Sequence, residues 1–192
     1  MSARDRLYLG VGRAAWGYFF LFFSVKLGSL ELLPDFVGHL LFFSAVTLLT
    51  AENRALALLR PFCLILAALS GLEWAAALLG QAPEQLRQLS ELVGSLLFLY
   101  FNFQFLTNLA QIAAAHQPPE AGLDRKLLRC RTVMTLLQTL LRLIRLIFTR
   151  IDGLWLGCFL LLALAELCVG IYMMAVLFGL RRGLRRVSEA SM

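Results

Sequence analysis

Residues 153–180 read GLWLGCFLLLALAELCVGIYMMAVLFGL, the longest apolar stretch of the chain. Glu166, near the middle, is its only charged residue. A helix needs about 20 mostly apolar residues to cross the hydrocarbon core of a bilayer. The sequence therefore predicts a transmembrane helix that carries one carboxyl group at membrane depth.

Five more apolar stretches precede this one, and turn residues such as Pro34, Pro83 and Pro118 separate several of them. The spans are predicted at residues 12–30, 34–50, 58–79, 88–110, 132–150 and 153–180. The expected fold is an all-α integral membrane protein, with residues 1–192 forming a single domain of three helical hairpins. No segment between the stretches is long enough to fold as a soluble domain, so any ATPase would come from a separate chain.

The overall composition agrees with a membrane protein. Of the 192 residues, 60% are hydrophobic and 16% are charged, whereas soluble domains have about 25% charged residues. The net charge of +6 comes from residues at the ends of apolar stretches, which is a sign of membrane topology and not of nucleic-acid binding. Neither a metal site nor a cofactor is expected, because the four cysteines form no CxxC pair and the chain has only two histidines.

Basic residues cluster in alternate connections between the stretches. If the N-terminus lies inside, the inner side holds Arg4, Arg6, Arg13, Arg54, Arg60, Arg125, Lys126, Arg129, Arg131, Arg181, Arg182, Arg185 and Arg186. The outer connections hold Arg87 and Arg150. Because cytoplasmic segments carry an excess of Lys and Arg, we expect both termini in the cytoplasm and the protein in the plasma membrane, specifically a bacterial inner membrane.

The stretch at 132–150 allows a second interpretation. Its threonines, Gln138 and the two arginines Arg142 and Arg145 fall three and four residues apart and form one polar stripe on a helix. Two arginines at membrane depth cost roughly 5–7 kcal/mol, against roughly 3–6 kcal/mol returned by the apolar residues. The alternative is therefore five spans plus an amphipathic helix at 122–150 that lies on the membrane surface.

A short segment of the first hairpin carries a resemblance. Residues 32–38 read LLPDFVG and follow a Gly-Ser-Leu turn. This segment resembles a motif of uncharacterised multi-pass membrane proteins of Firmicutes. The resemblance covers the first hairpin only, and it implies no particular activity.

The predicted architecture also resembles a known class of transport subunit. Six short helices without a soluble domain are similar to the substrate-binding subunits of energy-coupling-factor transporters. In those subunits small residues along the first helix dock a coupling subunit. A comparable stripe here consists of Gly10, Gly17, Ser24 and Gly28, with Arg13 interrupting it.

Ionisable residues within the predicted spans indicate where a ligand could bind. Most lie in the outer half of the membrane, and the candidate binding residues are Asp35, His39, Glu73, Glu91, Arg142, Arg145 and Glu166. Such residues are expensive in a bilayer and are often functional. Arginine suits carboxylate or phosphate recognition, so we expect a pocket, open to the outer face, for a small anionic or zwitterionic solute. A structural ion pair is the alternative for the arginines and Glu166.

Three functions are compatible with these patterns. The first is a solute-binding transport protein or transporter subunit. The second is a membrane enzyme, for which His39 and Asp35 are the only candidate base and helper; we expect no catalytic residues and no enzyme activity. The third is an assembly or regulatory protein that binds another membrane protein through the small stripe of the first helix.

Overall fold

The computed structural model describes residues 3–23, 26–27, 30–31, 34–79, 84–117, 119–147 and 153–189. Nearly all of them are helical, as the sequence predicted. The six α-helices are α1 (Ala3–Phe22), α2 (Asp35–Leu49), α3 (Arg60–Leu79), α4 (Glu84–His116), α5 (Leu123–Ile147) and α6 (Gly153–Glu189). Short 3₁₀ turns occur at Arg54–Leu59 and Pro119–Ala121, and the two-residue strands β1 (Lys26–Leu27) and β2 (Leu30–Glu31) pair antiparallel.

The six helices form a closed ring in chain order. Each helix packs against the next one, and α6 returns to pack against α1. Contacts between α1 and α6 join Tyr8 to Arg181 and Phe22 to Gly170, so these two helices run antiparallel. Neighbouring helices alternate in direction around the ring, which agrees with three consecutive hairpins.

The alternation gives the ring two different ends. Most basic residues lie near the helix termini at one end of the ring, which we call the basic end. Among them are Arg54, Arg60, Arg125 and Arg181. We call the opposite end, where α2 and α6 begin, the cavity end, because a cavity opens there.

Glycines allow α1 and α2 to approach closely. A Cβ atom on Gly38 would lie 3.0 Å from the carbonyl oxygen of Gly17, and one on Gly10 would lie 2.8 Å from Leu49. Small residues of this kind let helix backbones pack tightly in membranes. Helix α2 therefore covers Gly10 and Gly17, and the prediction that these two glycines dock a partner protein is wrong. Ser24 and Gly28, the other small residues of that stripe, lie outside the described residues.

Four aromatic side chains fill the middle of the ring of helices. Tyr18, Phe42, Phe101 and Phe105 are fully buried, and we call them the aromatic plug. The ring of Phe42 lies 4.7 Å from that of Tyr18, 5.1 Å from that of Phe101 and 5.5 Å from that of Phe105. The Tyr18 hydroxyl donates a hydrogen bond to the Oδ1 atom of buried Asn102, which gives this polar atom a partner inside an apolar centre.

Three helical segments are long and apolar enough to cross a membrane. Among the described residues these are Arg54–Leu79, Gln88–His116 and Trp155–Leu184. Helix α2 is equally apolar, but its 15 residues span only about 22 Å. Helices α1 and α5 carry several charges along their length.

Four predicted helices differ from the structure in their bounds. One of them is α5, which begins at Leu123 instead of at residue 132. The helix expected at 12–30 begins earlier and ends at Phe22, and Lys26 lies in strand β1. The segment after Phe22 contains Gly28 and Ser29, residue types that disfavour helix and favour turns. Helices α4 and α6 extend beyond the predicted 88–110 and 153–180, because polar residues with good helix propensity continue both apolar stretches.

Candidate functional site

A cavity of about 420 Å³ opens at the cavity end of the ring, between that end and the aromatic plug. Binding sites for small molecules commonly have volumes of about 300–1,000 Å³. Every helix contributes to the wall, which consists of Leu21, Phe22, Asp35, His39, Leu66, Gly94, Ser95, Phe98, Gln138, Arg142, Ala163, Glu166 and Leu167. The cavity thus brings together Asp35, His39, Arg142 and Glu166, four of the seven candidate residues.

The charged side chains of the wall come from three helices. Arg142 on α5 and Glu166 on α6 are half-buried and attract each other electrostatically. One terminal nitrogen of Arg142 donates a hydrogen bond to the backbone carbonyl of Ser95 on α4. This bond fixes the guanidinium group in the wall. Asp35, in the first turn of α2, adds a second carboxyl group.

Two neutral polar side chains lie one helical turn deeper. His39 follows Asp35 by four residues, and Gln138 precedes Arg142 by four, so each lies below its charged neighbour on the same helix face. His39 is 7% exposed and Gln138 is 5% exposed. Among the described residues, neither the Nδ1 atom of His39 nor the Oε1 atom of Gln138 has a hydrogen-bond partner. Such buried polar atoms are normally satisfied.

The remaining candidate residues lie outside the cavity wall. Arg145 is exposed, and its guanidinium group lies 5.2 Å from the ring centre of Phe159 on α6. Glu73 accepts a hydrogen bond from the Ser90 hydroxyl, which connects α3 to α4. Glu91 is exposed on α4. The seven candidates therefore do not form a single cluster.

The structure adds residues that the sequence did not single out as a site. Gln138, Ser95 and Phe98 line the cavity, and the Phe98 ring packs 5.9 Å from the ring of His39. The position of Gln138, one helical turn before Arg142 in the polar stripe, was the available signal. Ser95 is the one polar side chain in the segment 92–99, but a lone serine is no sign of a site, and Phe98 is one of several aromatic residues in α4.

Polar side chains connect the helices at the basic end. The Asn53 amide donates hydrogen bonds to Asn108 Oδ1 at 3.0 Å and to Gln111 Oε1 at 2.9 Å. The neighbouring Glu52 carboxylate lies 3.3 Å from His116 Nε2. These contacts attach the turn between α2 and α3 to the last turns of α4. The cavity therefore lies at the end of the ring opposite this network.

No metal centre occurs among the residues that the structure describes. No group of three or more His, Cys, Asp or Glu side chains is placed to hold a metal ion there. Cys63 and Cys130 are free, buried thiols inside the helical ring, where cysteine packs as a small apolar side chain. The charged and amide side chains around the cavity are thus its available recognition groups.

The fold and cavity define the class of the protein as all-α, with three helices able to cross a membrane. Comparisons with protein families, curated proteins and solved structures gave no match. The cavity itself is therefore the starting point for inferring function.

Proposed function

We propose that the protein spans a bacterial inner membrane six times, with both termini in the cytoplasm, and binds a small zwitterionic solute as a transport protein or transporter subunit. The observation that carries the proposal is the cavity at which all six helices meet, where Arg142 and Glu166 face a shared space. Binding and not catalysis is the proposed activity. The outer face of the membrane would be the side to which the cavity opens.

The orientation of α5 supports six spans over five. Gln138 and Arg142 point into the ring, while Leu136, Leu140 and Leu143 are exposed on the outside. The three exposed leucines suit contact with lipid, which Gln138 and Arg142 avoid by facing the cavity. A surface-lying amphipathic helix would instead turn its charged face to water.

The neighbours of α5 support the same interpretation. Near the basic end, Arg131 donates a hydrogen bond to Thr107 on α4 at 3.0 Å. Near the cavity end, Arg142 binds the Ser95 carbonyl and Arg145 contacts Phe159. Helix α5 therefore packs along α4 and α6 over most of its length. With α5 crossing, the basic residues gather on one side of the membrane, as the positive-inside rule requires.

The charges of the wall favour a zwitterion over an anion. A carboxylate on the solute would pair with Arg142, for which a guanidinium group is well suited. A purely anionic solute would at the same time meet the carboxyl groups of Glu166 and Asp35. An ammonium group on the solute removes that repulsion by pairing with Glu166. Buried charges are tolerated when each has an opposite partner.

Solute binding can be tested with purified protein in lipid–detergent micelles. We expect zwitterionic amino acids to raise the thermal unfolding temperature, because a ligand at 100 times its Kd stabilises the folded state by about 2.7 kcal/mol. Matching anions without an ammonium group should have little effect. Arg142→Gln should abolish the stabilisation, whereas Arg145→Gln, the same change outside the cavity, should preserve it. Equal loss in both variants, or no response to any zwitterion, would refute the site.

Membrane topology needs a separate experiment. A reporter that is active on only one side of the membrane would be fused to the C-terminus. Six spans predict a cytoplasmic signal. An external signal would place α5 on the membrane surface and would remove the basis for the proposed cavity.

A further inference from the structure

The two neutral side chains at the bottom of the cavity bear on the kind of solute it accepts. His39 lies on α2 and Gln138 on α5, helices that are opposite each other in the ring. Both side chains line the same cavity and are more than nine-tenths buried. Among the described residues, His39 Nδ1 and Gln138 Oε1 have no hydrogen-bond partner.

An unpartnered buried polar atom is costly. Leaving such an atom without a hydrogen bond destabilises the folded protein, and apolar side chains would close the bottom of a cavity at a lower cost. Two such atoms from opposite helices indicate that a hydrogen-bonding group occupies the space between the walls. Phe98, whose ring packs against that of His39, and Leu66 also line the cavity and restrict the space in which that group would fit.

We propose that this lower part of the cavity selects solutes whose side chain carries a hydroxyl or a carboxamide. This inference rests on the proposed function and narrows it to neutral, polar α-amino acids or close analogues. The carboxylate and ammonium groups lie beside Arg142 and Glu166, and the side chain points toward His39 and Gln138. A hydroxyl or carboxamide can donate to Gln138 Oε1 and accept from His39 Nδ1 when that nitrogen carries the proton.

The chemistry of the lower part of the cavity argues against solutes with an aliphatic or an acidic side chain. An aliphatic side chain would cover both polar atoms without giving either a partner, and sites built to hydrogen-bond a hydroxyl strongly reject analogues that lack it. A second carboxylate on the solute would lie below Asp35 and Glu166, with no further cation in the described wall. Selectivity thus comes from the lower side chains, while Arg142 and Glu166 recognise the part common to all amino acids.

Isosteric pairs of amino acids provide a direct test. Affinities of the purified, full-length protein would be measured calorimetrically for threonine against valine and for asparagine against leucine. We expect the polar member of each pair to bind at least about 10-fold more tightly, equivalent to about 1.4 kcal/mol. Gln138→Leu should reduce the ratio within each pair to near one. Thr139→Val, an exposed neighbour on the same helix, should leave both ratios unchanged.

The outcomes separate this inference from the proposed function. If all four amino acids bind the wild-type protein with equal affinity, the selectivity is refuted while the zwitterion site stands. If none binds a protein shown to be folded, both proposals fail. The comparison within wild-type protein does not depend on whether Gln138→Leu folds.

Discussion

Removal of one ring from the aromatic plug tests how closely the centre of the protein is packed. Phe42 is fully buried and contacts the rings of Tyr18, Phe101 and Phe105 at 4.7–5.5 Å. In soluble proteins, replacing a core phenylalanine with alanine costs about 3–5 kcal/mol. Part of that cost is transfer from water, and this part is largely absent in a bilayer because lipid tails are as apolar as the protein interior.

The remaining cost can be worked out from two terms. A residual cavity of about 100 Å³ at 24 cal/mol per Å³ contributes about 2.4 kcal/mol. Loss of the aromatic contacts adds at least about 0.5 kcal/mol. We therefore expect Phe42→Ala to lower the free energy of unfolding by about 3 kcal/mol, more than 100-fold in the unfolding equilibrium.

The assay is reversible unfolding by SDS in lipid–detergent micelles, followed by tryptophan fluorescence. Phe103→Ala is the matched control, because Phe103 is 37% exposed on α4 and contacts the Arg131 guanidinium at 4.4 Å. An exposed cation–π contact contributes about 0.5–1 kcal/mol, so this variant should lose no more than that. A loss below about 1 kcal/mol for Phe42→Ala, or equal losses for both variants, would refute the close-packed plug.

Two further predictions concern helix packing and the basic end. Gly17→Val should destabilise the protein by about 1–3 kcal/mol, because its Cβ would lie 3.2 Å from a carbonyl oxygen of α2. Gly157→Val, with open space around it, should be nearly neutral in the same SDS titration, and similar costs would contradict the tight α1–α2 contact. Asn53→Ala should increase hydrogen exchange in the turn Arg54–Leu59, since it removes both the turn cap and the bonds to α4. Asn53→Asp retains the capping oxygen and should show a smaller increase; unchanged exchange in both variants would argue against this connection.

The sequence could predict the position of the site residues along their helices, and so their depth in a membrane. Hydropathy indicates where each helix is most apolar, and the charged residues within those stretches follow directly. Asp35, His39, Arg142 and Glu166, which lie on three helices, were expected within the membrane and mostly in its outer half, and all four line one cavity. The six helices themselves were predictable for the same reason, since each has its own apolar stretch.

The direction in which a side chain points around the helix axis was not predictable. Arg142 and Arg145 are three residues apart, which separates them by about 60° around a helix. That difference is enough for Arg142 to point into the cavity while Arg145, which is exposed, contacts Phe159 on α6. The rotation of each helix depends on packing with both neighbours, such as the glycine contact between Gly17 and Gly38. A single sequence contains no measure of such long-range packing.

The aromatic plug also has an electrical consequence in the proposed membrane orientation. In that orientation water would enter the cavity from outside, and the fully buried rings would close the centre of the ring below it. The insulating part of the protein would then be its inner half. Most of the transmembrane voltage would then fall across the plug and the core below it. One elementary charge moved through 100 mV corresponds to about 2.3 kcal/mol. Charges at Arg142 and Glu166 would remain close to the external potential, so solute binding would be insensitive to voltage, and only passage beyond Phe42 would depend on it.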